Sequence, residues 1–397
     1  MLSTLKKINF LITKRQRKGL VILTLLLFVG MFLEVFGLGV LIPALSIILD
    51  PEMIDKTPVL SLIRNYFSDF NDKNFTIFFL VCIVILYLIK SLFIVFLTFK
   101  QNRFLSNIIA HISNNLFSSY MSQPYRFHLN RNASELIKNI QVEINYLYSF
   151  LLSLITIIIE GGFIIAILLT LVYIEPVGAI TIGIFYGILS LVFLRFTKRK
   201  LNIWGQMRQN IDAQLSKTAL EGLGGIKDLL ILGKTSFYID YFSNKNYLKA
   251  RINSNQGTVS QIPRFYLEFI SILGLVSFII LLFVQGKDTN NLITILGVFV
   301  AATFRMIPSL NRIIAGSQSI KYYMSSLNII YSEIISFNNL TIQETSITDF
   351  SFKNKIELNK IHFGFTKNKI VLDDINLTIM RGQTVGFIGE SGCGKST

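Results

Sequence analysis

Long apolar stretches dominate the pattern of hydrophobic and polar positions along this 397-residue chain. A helix crosses the roughly 30 Å hydrocarbon core of a bilayer in about 20 residues. Most of the stretches are too long, and together they are too numerous, for the buried helices of a soluble core. The pattern therefore predicts a six-span membrane domain over residues 19–334. The six stretches that meet or approach the required length are residues 20–49, 75–99, 147–174, 177–194, 265–285 and 292–310.

Apolar residues at helical spacing continue beyond the spans in two segments, residues 106–121 and 195–232. This spacing predicts long helix extensions that leave the bilayer. The first segment is followed by Gln123-Pro124, and the second contains the glycine-rich residues 222–225. Both features break helices, so we expect a short transverse helix at each break.

The composition excludes a soluble or a disordered chain. Hydrophobic residues make up 52% of the sequence and charged residues only 15%, whereas soluble domains carry about 25% charged residues. Disordered chains are poor in large apolar residues. Two cysteines and three scattered histidines give neither a disulfide framework nor the spacing of a metal site. The expected fold class is an α-helical polytopic membrane protein.

The net charge of +15 predicts how the chain is oriented. Lysine and arginine outnumber acids in residues 100–144 and 195–262, whereas acids outnumber them in residues 50–73. The positive-inside rule places basic segments in the cytoplasm. We therefore expect a cytoplasmic N-terminus and two long cytoplasmic segments. Orientation explains most of the basic surplus, and no nucleic-acid partner is expected.

Residues 1–18 combine apolar residues three apart with six basic residues. This pattern predicts a basic amphipathic segment that lies on an anionic membrane surface. An ordinary basic flank of the first span explains the same residues. The apolar positions are Leu2, Leu5, Ile8 and Leu11, and the basic ones are Lys6, Lys7, Lys14, Arg15, Arg17 and Lys18.

The membrane character ends after the last span. Residues 335–354 are of mixed polarity and predict a linker, and residues 355–397 predict the start of an α/β nucleotide-binding domain. Alternating or short apolar runs predict strands over residues 356–363, 371–379 and 384–388.

A glycine-rich motif directly follows the last predicted strand. It matches the phosphate-binding pattern G-x-x-x-x-G-K-[ST], and a preceding strand is the context that this pattern requires. Glycines let backbone N–H groups approach phosphates, Lys395 brings a positive charge to them, and the Ser396 hydroxyl can ligate Mg²⁺. ATP and Mg²⁺ are the predicted cofactors. The predicted nucleotide-binding residues are Gly389, Glu390, Ser391, Gly392, Cys393, Gly394, Lys395, Ser396 and Thr397, with Ser396 as metal ligand.

The sequence ends at Thr397, before a helix that would follow the loop and before any catalytic acid or base. We therefore expect a chain truncated just after the phosphate-binding motif, which belongs to an ATPase only when the rest of the domain is present.

Three cations, Lys90, Arg264 and Arg305, lie inside or at the edge of predicted spans. A charge at mid-membrane costs about 2.5–3.5 kcal/mol on insertion scales, so each must pair or face a polar cavity. One interpretation is a cavity that binds a phosphorylated head group, which arginine contacts well. The other is pairing with the acids at similar depth, Glu34, Glu160 and Glu268.

The whole chain resembles an ABC exporter half-transporter of the homodimeric type. Residues 124–135 and 221–234 are similar to the family's two coupling-helix segments, and Phe365 stands where the family has an aromatic residue that stacks on adenine. The resemblance implies a homodimer in a bacterial inner membrane, in contact with membrane lipids and driven by ATP.

Four segments resemble more narrowly the lipid-linked oligosaccharide flippases of bacterial protein N-glycosylation (PglK-like). The implied substrate is an amphiphilic glycan on a polyprenyl pyrophosphate. Two alternatives stay open: an exporter of another amphiphile, such as lipid A or a hydrophobic drug, and a membrane-domain remnant without ATPase activity. The segments are residues 32–37, 262–268, 304–314 and 322–331.

Overall fold

The computed structural model describes residues 2–49, 72–174, 176–284, 289–338, 352, 354–364, 370–390 and 393–397. The chain forms two compact units. The first unit comprises residues 1–121 and 132–335, and the second comprises residues 122–131 and 336–397.

Ten α-helices and two strands make up the described residues. A π-helical turn, Asn139–Glu143, joins α5 to α6. The helices are α1 (Leu2–Leu11), α2 (Lys14–Leu49), α3 (Asp72–Met121), α4 (Tyr125–Asn130), α5 (Ala133–Lys138), α6 (Ile144–Ile174), α7 (Pro176–Gly224), α8 (Ile226–Ile231), α9 (Thr235–Val284) and α10 (Thr289–Asn338), and the strands are β1 (Lys355–Phe363) and β2 (Leu372–Met380).

Six of these helices (α2, α3, α6, α7, α9 and α10) have 31 residues or more. Each contains one predicted apolar stretch, apart from residue 285, which lies outside the described residues. Among the described residues, three segments are long and apolar enough to cross a membrane: Lys14–Glu34, Thr76–Met121 and Ala133–Val172. The helical membrane fold is thus confirmed, while six crossings stay a prediction.

The apolar side chains of the first unit divide between a packed core and outward faces. Phe163, Tyr186, Leu267 and Met306 belong to one buried cluster that joins α6, α7, α9 and α10. Leu97 belongs to a second cluster, which joins α2, α3 and α6. Large residues on the opposite faces stay exposed, as lipid-facing residues do; they include Phe32, Leu92, Leu169 and Leu191.

The helix extensions and their breaks are where the sequence places them. Helix α3 continues without interruption to Met121 and stops before Pro124, which has no N–H to donate. Helix α7 ends at Gly224, and α8 follows at once. Gly233 has a φ of 61° in the turn between α8 and α9, a conformation that favours glycine.

The N-terminal segment forms two helices separated at Thr13. The Thr13 hydroxyl accepts the Gln16 N–H at 3.3 Å, and the Gln16 side chain accepts the Thr13 N–H at 3.0 Å. This reciprocal capping begins α2. Helix α1 contacts α10, where the Phe10 and Tyr331 rings pack edge to face at 5.5 Å. The membrane-surface role of residues 1–18 stays a prediction.

In the second unit, β1 and β2 form an antiparallel hairpin with Lys355 opposite Met380. The predicted strand over residues 384–388 is wrong, because this segment is irregular. A strand needs a neighbour for its N–H and C=O groups, and among the described residues the sheet consists of β1 and β2. Helix α10 also extends to Asn338, inside the predicted linker.

A glycine-to-alanine change at Gly205 tests a close contact between α7 and α10. A Cβ atom at Gly205 of α7 would lie 2.3 Å from the carbonyl oxygen of Tyr322 in α10. Neither backbone can yield locally, so we expect Gly205→Ala to lower the free energy of unfolding by about 1–3 kcal/mol. Thermal unfolding in detergent measures the loss. A Cβ atom at Gly187 of the same helix would meet nothing within 4 Å, so Gly187→Ala is the control; equal melting temperatures for the two variants would contradict this packing.

Candidate functional site

A cavity of about 300 Å³ lies in the first unit, between α2, α3 and α6 with one residue from α10. Its wall combines apolar side chains with polar and charged groups. This mixture is typical of a pocket that holds an amphiphile and fixes its polar part. The apolar residues include Leu27, Met31, Ile94, Leu97, Ile159 and Phe163, and the polar ones are Glu34, Thr98, Gln101, Thr156, Glu160 and Arg312.

One ion pair lies in the wall of this cavity, and a second joins the lining residue Glu34 to Lys90, which is not a lining residue. Arg312 Nη1 lies 2.6 Å from Glu160 Oε1, and Lys90 Nζ lies 3.4 Å from Glu34 Oε2. The Glu160, Glu34 and Lys90 side chains are all about nine-tenths buried, whereas Arg312 is 49% exposed. Lys90 also lies 4.6 Å from the centroid of the Tyr87 ring. Burial of this kind requires each charge to have a partner.

The three predicted cations reach different surroundings. Lys90 contacts the cavity residue Glu34. Arg264 is exposed, and its Nε lies 3.2 Å from Glu268 Oε1 one turn further along α9. Arg305 lies in α10, but its side chain is outside the described residues. Lys90 and Arg264 each pair with one of the acids at similar depth, as the pairing interpretation predicts.

Arg312 is a cavity residue that the sequence reasoning missed. It lies two residues beyond the predicted end of the last span, so the hydropathy pattern does not place it among the intramembrane cations. Its spacing was the available signal: Arg305 and Arg312 are seven residues apart, which places them on one face of a helix two turns apart.

A second charged cluster, also missed, surrounds Arg208 of α7. Its guanidinium is fully buried and lies 3.6 Å from the centroid of the Tyr146 ring. Tyr322 and Tyr323 of α10 lie 5.2 and 5.3 Å away. Aromatic faces attract a guanidinium at these distances. Burial raises the pKa of Tyr322 and Tyr323, so both hydroxyls stay protonated.

Two buried carboxylates complete this Arg208 cluster. Arg208 Nη2 lies 3.8 Å from Glu143 Oε2, and Arg208 Nε lies 3.9 Å from Asp212 Oδ2. The Ser326 hydroxyl donates to Glu143 at 2.5 Å and accepts from Arg208 at 3.1 Å. Lys249 of α9 lies 2.6 Å from Asp212. The cluster thus links the π-helical turn, α7, α9 and α10.

In the second unit, the lysine of the phosphate-binding motif donates to backbone carbonyls of the same motif. Lys395 Nζ donates to the carbonyl oxygens of Gly389 at 2.5 Å and Glu390 at 2.9 Å. Gly394 has a φ of 95°, which an L side chain rarely adopts. The lysine therefore lies inside the turn, where a phosphate would replace the carbonyls as its partner.

These loop residues fit a nucleotide phosphate, and Ser396 is exposed. Three predicted nucleotide contacts, Phe365, Ser391 and Gly392, lie outside the described residues.

Comparison with known proteins shows the family. The profile of the ABC transporter transmembrane region matches residues 57–307, which is more than half of the chain. The chain belongs to the ABC transporter transmembrane family. Family membership implies the use of ATP and Mg²⁺.

Individual relatives of this ABC transporter chain agree with that assignment. It is 22% identical over 332 residues to the ATP-dependent lipid A-core flippase of Saccharophagus degradans, covering 80% of this chain and 53% of that protein. A 42-residue match to the nickel import system ATP-binding protein NikE of Staphylococcus aureus is 60% identical and covers 11% of this chain and 18% of that protein.

A solved bacterial Atm1-family ABC exporter with ATP bound shares the fold, with a TM-score of 0.69 at 15% identity. The match covers 96% of this chain and 64% of that structure. The ABC transporter chain thus spans about half the length of its curated flippase relative.

Proposed function

We propose that two copies of this chain form an ATP-driven flippase for a lipid-linked oligosaccharide, a glycan on a polyprenyl pyrophosphate, in a bacterial inner membrane. Residues 19–334 form the six-span domain with the N-terminus in the cytoplasm, residues 335–354 the linker, and residues 355–397 the first part of the nucleotide-binding domain. The observation that carries the proposal is the cavity lined by Arg312, Glu160 and Glu34, with Lys90 paired to Glu34 beside it.

The chemistry of the cavity wall supports an anionic head group over a hydrophobic drug. A drug site is expected to be largely aromatic, whereas Phe163 is the one aromatic residue among the described lining residues. Arg312 is half exposed, and its planar guanidinium can bind two phosphate oxygens at once. Arg264 and Arg305 remain proposed as further phosphate contacts.

The nucleotide loop supplies the other half of the proposed mechanism. Lys395 would exchange its two carbonyl partners for phosphate oxygens, Ser396 would hold Mg²⁺, and Phe365 would stack on the adenine. Bound there, MgATP supplies the free energy of transport. Helix α8 has no buried residues. Its exposed Leu230 and Ile231 would contact a nucleotide-binding domain, and movement of that domain would then displace the helix.

A second candidate substrate is lipid A, which the flippase relative from Saccharophagus degradans favours. Its phosphates would use the same cations. Measuring whether a polyprenyl pyrophosphate glycan or lipid A stimulates ATP hydrolysis by the transporter decides between the two.

Replacing Arg312 tests the proposed site. We expect Arg312→Ala to slow flipping of a fluorescent polyprenyl pyrophosphate glycan in proteoliposomes by about 10- to 100-fold, because charged hydrogen bonds contribute about 1.5–3 kcal/mol. Arg312→Lys should retain an intermediate rate, since it keeps the charge and loses the planar fork. Lys217→Ala, which breaks an exposed pair with Glu221, is the control. Flipping by Arg312→Ala at the unmodified rate would exclude this site.

A further inference from the structure

The cavity contains its own anions. Glu34 from α2 and Glu160 from α6 both line it, and each is paired with a cation from another helix: Lys90 of α3 and Arg312 of α10. Two negative and two positive charges make this set of four neutral overall. A site built only to attract anions would carry cations in excess, so the carboxylates need an explanation.

An anionic lipid that binds Arg312 must displace the Glu160 carboxylate, which now lies 2.6 Å from the guanidinium. A phosphodiester head group carries one negative charge, the same as the carboxylate that it replaces. Replacing the carboxylate with a phosphodiester then adds little attraction to Arg312. It also leaves Glu160, which is nine-tenths buried, without its cation, and an unpaired buried charge is costly. A pyrophosphate carries at least two negative charges on two phosphoryl groups. It therefore attracts the guanidinium more strongly than the singly charged carboxylate does, and it can displace that carboxylate.

The displaced carboxylate has polar neighbours that can receive it. Thr98, Gln101 and Thr156 line the same cavity. The Gln101 amide is a neutral hydrogen-bond donor. The Thr98 and Thr156 hydroxyls now donate to the carbonyl oxygens of Ile94 and Leu152, each at 2.9 Å, and each can rotate to donate to Glu160 instead. Thr156 lies one turn before Glu160 on α6. The cavity therefore has a polar surface that can stabilise Glu160 after it releases Arg312.

We propose that Glu160, assisted by Glu34, is the specificity-determining residue of this cavity: the two carboxylates are internal counter-ions that exclude lipids with singly charged head groups and admit lipids with a pyrophosphate. This inference rests on the proposed function. It gives the flippase a means to ignore the abundant anionic phospholipids that surround it in the membrane.

The test measures binding to the whole chain in phosphatidylcholine nanodiscs, so it does not depend on ATP hydrolysis. The probes are a fluorescent short-chain phosphatidylglycerol and a fluorescent short-chain prenyl pyrophosphate. We expect the unmodified chain to prefer the pyrophosphate. Glu160→Gln keeps the shape and hydrogen-bonding capacity of the side chain but removes its charge, and it should tighten phosphatidylglycerol binding by about tenfold, which corresponds to about 1.4 kcal/mol. Its effect on the pyrophosphate should be smaller.

Two further variants make the result decisive. Glu34→Gln should shift the preference in the same direction, and it serves as the test if Glu160→Gln does not fold. Glu221→Gln, at an exposed pair on α7, should leave both affinities unchanged. If the unmodified chain prefers the pyrophosphate and neither cavity variant changes that preference, the counter-ion role is wrong and the flippase proposal stands. If the unmodified chain does not bind the pyrophosphate, the proposed function itself fails.

Discussion

Replacing Arg208 with methionine is expected to lower the free energy of unfolding of the first unit by about 3–5 kcal/mol. Arg208 and Glu143 are both fully buried, and Asp212 is nearly so. Methionine roughly fills the space of the arginine stem but leaves both carboxylates without the guanidinium. Breaking a buried pair on one side is far more costly than replacing the whole pair, because the remaining charge stays out of water.

The contacts around Arg208 explain why the loss should be large. Ser326 accepts from Arg208 at 3.1 Å and donates to Glu143, so the hydroxyl loses one of two partners in the variant. The Tyr146 ring loses the cation that lies 3.6 Å from its centroid. Lys249, 2.6 Å from Asp212, and Lys138, 3.6 Å from Glu143, can offset part of the loss.

Thermal and denaturant unfolding in detergent measure this effect, and a double variant separates charge from packing. Arg208→Met combined with Glu143→Gln removes a charge of each sign and should recover part of the stability that the single variant loses. Lys217→Ala lies on the same helix in an exposed pair, which should contribute less than about 1 kcal/mol. A single Arg208 variant as stable as the Lys217 variant would show that the cluster is not an energetic link between the helices.

The Arg208 cluster also shows where sequence reasoning fails. Arg208 and Asp212 lie in a basic segment with helical spacing, and such charges usually face water. Their burial depends on Glu143 and Ser326, which are 183 residues apart in the chain and come together only when the helices pack. Nothing in the local pattern distinguishes a buried pair four residues apart from a solvated one.

Helix-breaking residues were more informative than the pattern of charges. Pro124 and the glycines at 222–225 predicted the ends of α3 and α7, because a missing N–H or a missing side chain acts within one turn of the helix. The strand predicted over residues 384–388 failed for the opposite reason, since a strand is stable only beside a partner. The hydropathy pattern does not identify Arg312, because it places the end of a span where charged residues begin. Helix α10 and its packing continue beyond that point.

Replacing Lys395 with alanine is expected to lower nucleotide affinity by about a hundredfold or more in the transporter with its complete nucleotide-binding domain. Lys395 is the one cation in residues 389–397, and its ammonium already lies within the loop, 2.5 and 2.9 Å from two carbonyl oxygens. Loss of two charged hydrogen bonds to phosphate, at about 1.5–3 kcal/mol each, accounts for that factor. MgATP-dependent flipping should fall to the background rate.

A lysine outside the loop provides a matched control for Lys395. Lys355 of β1 forms an exposed pair with Glu357 at 2.6 Å, so Lys355→Ala removes the same charge and should keep both nucleotide affinity and flipping. A fluorescent ATP analogue measures the affinity, and unchanged binding by Lys395→Ala would refute the phosphate-loop assignment. The comparison with Arg312→Ala is equally informative: the lysine variant should still bind the prenyl pyrophosphate, and the arginine variant should still bind nucleotide. If both variants lose flipping while each keeps the other ligand, the two ligands bind at separate sites and flipping requires both.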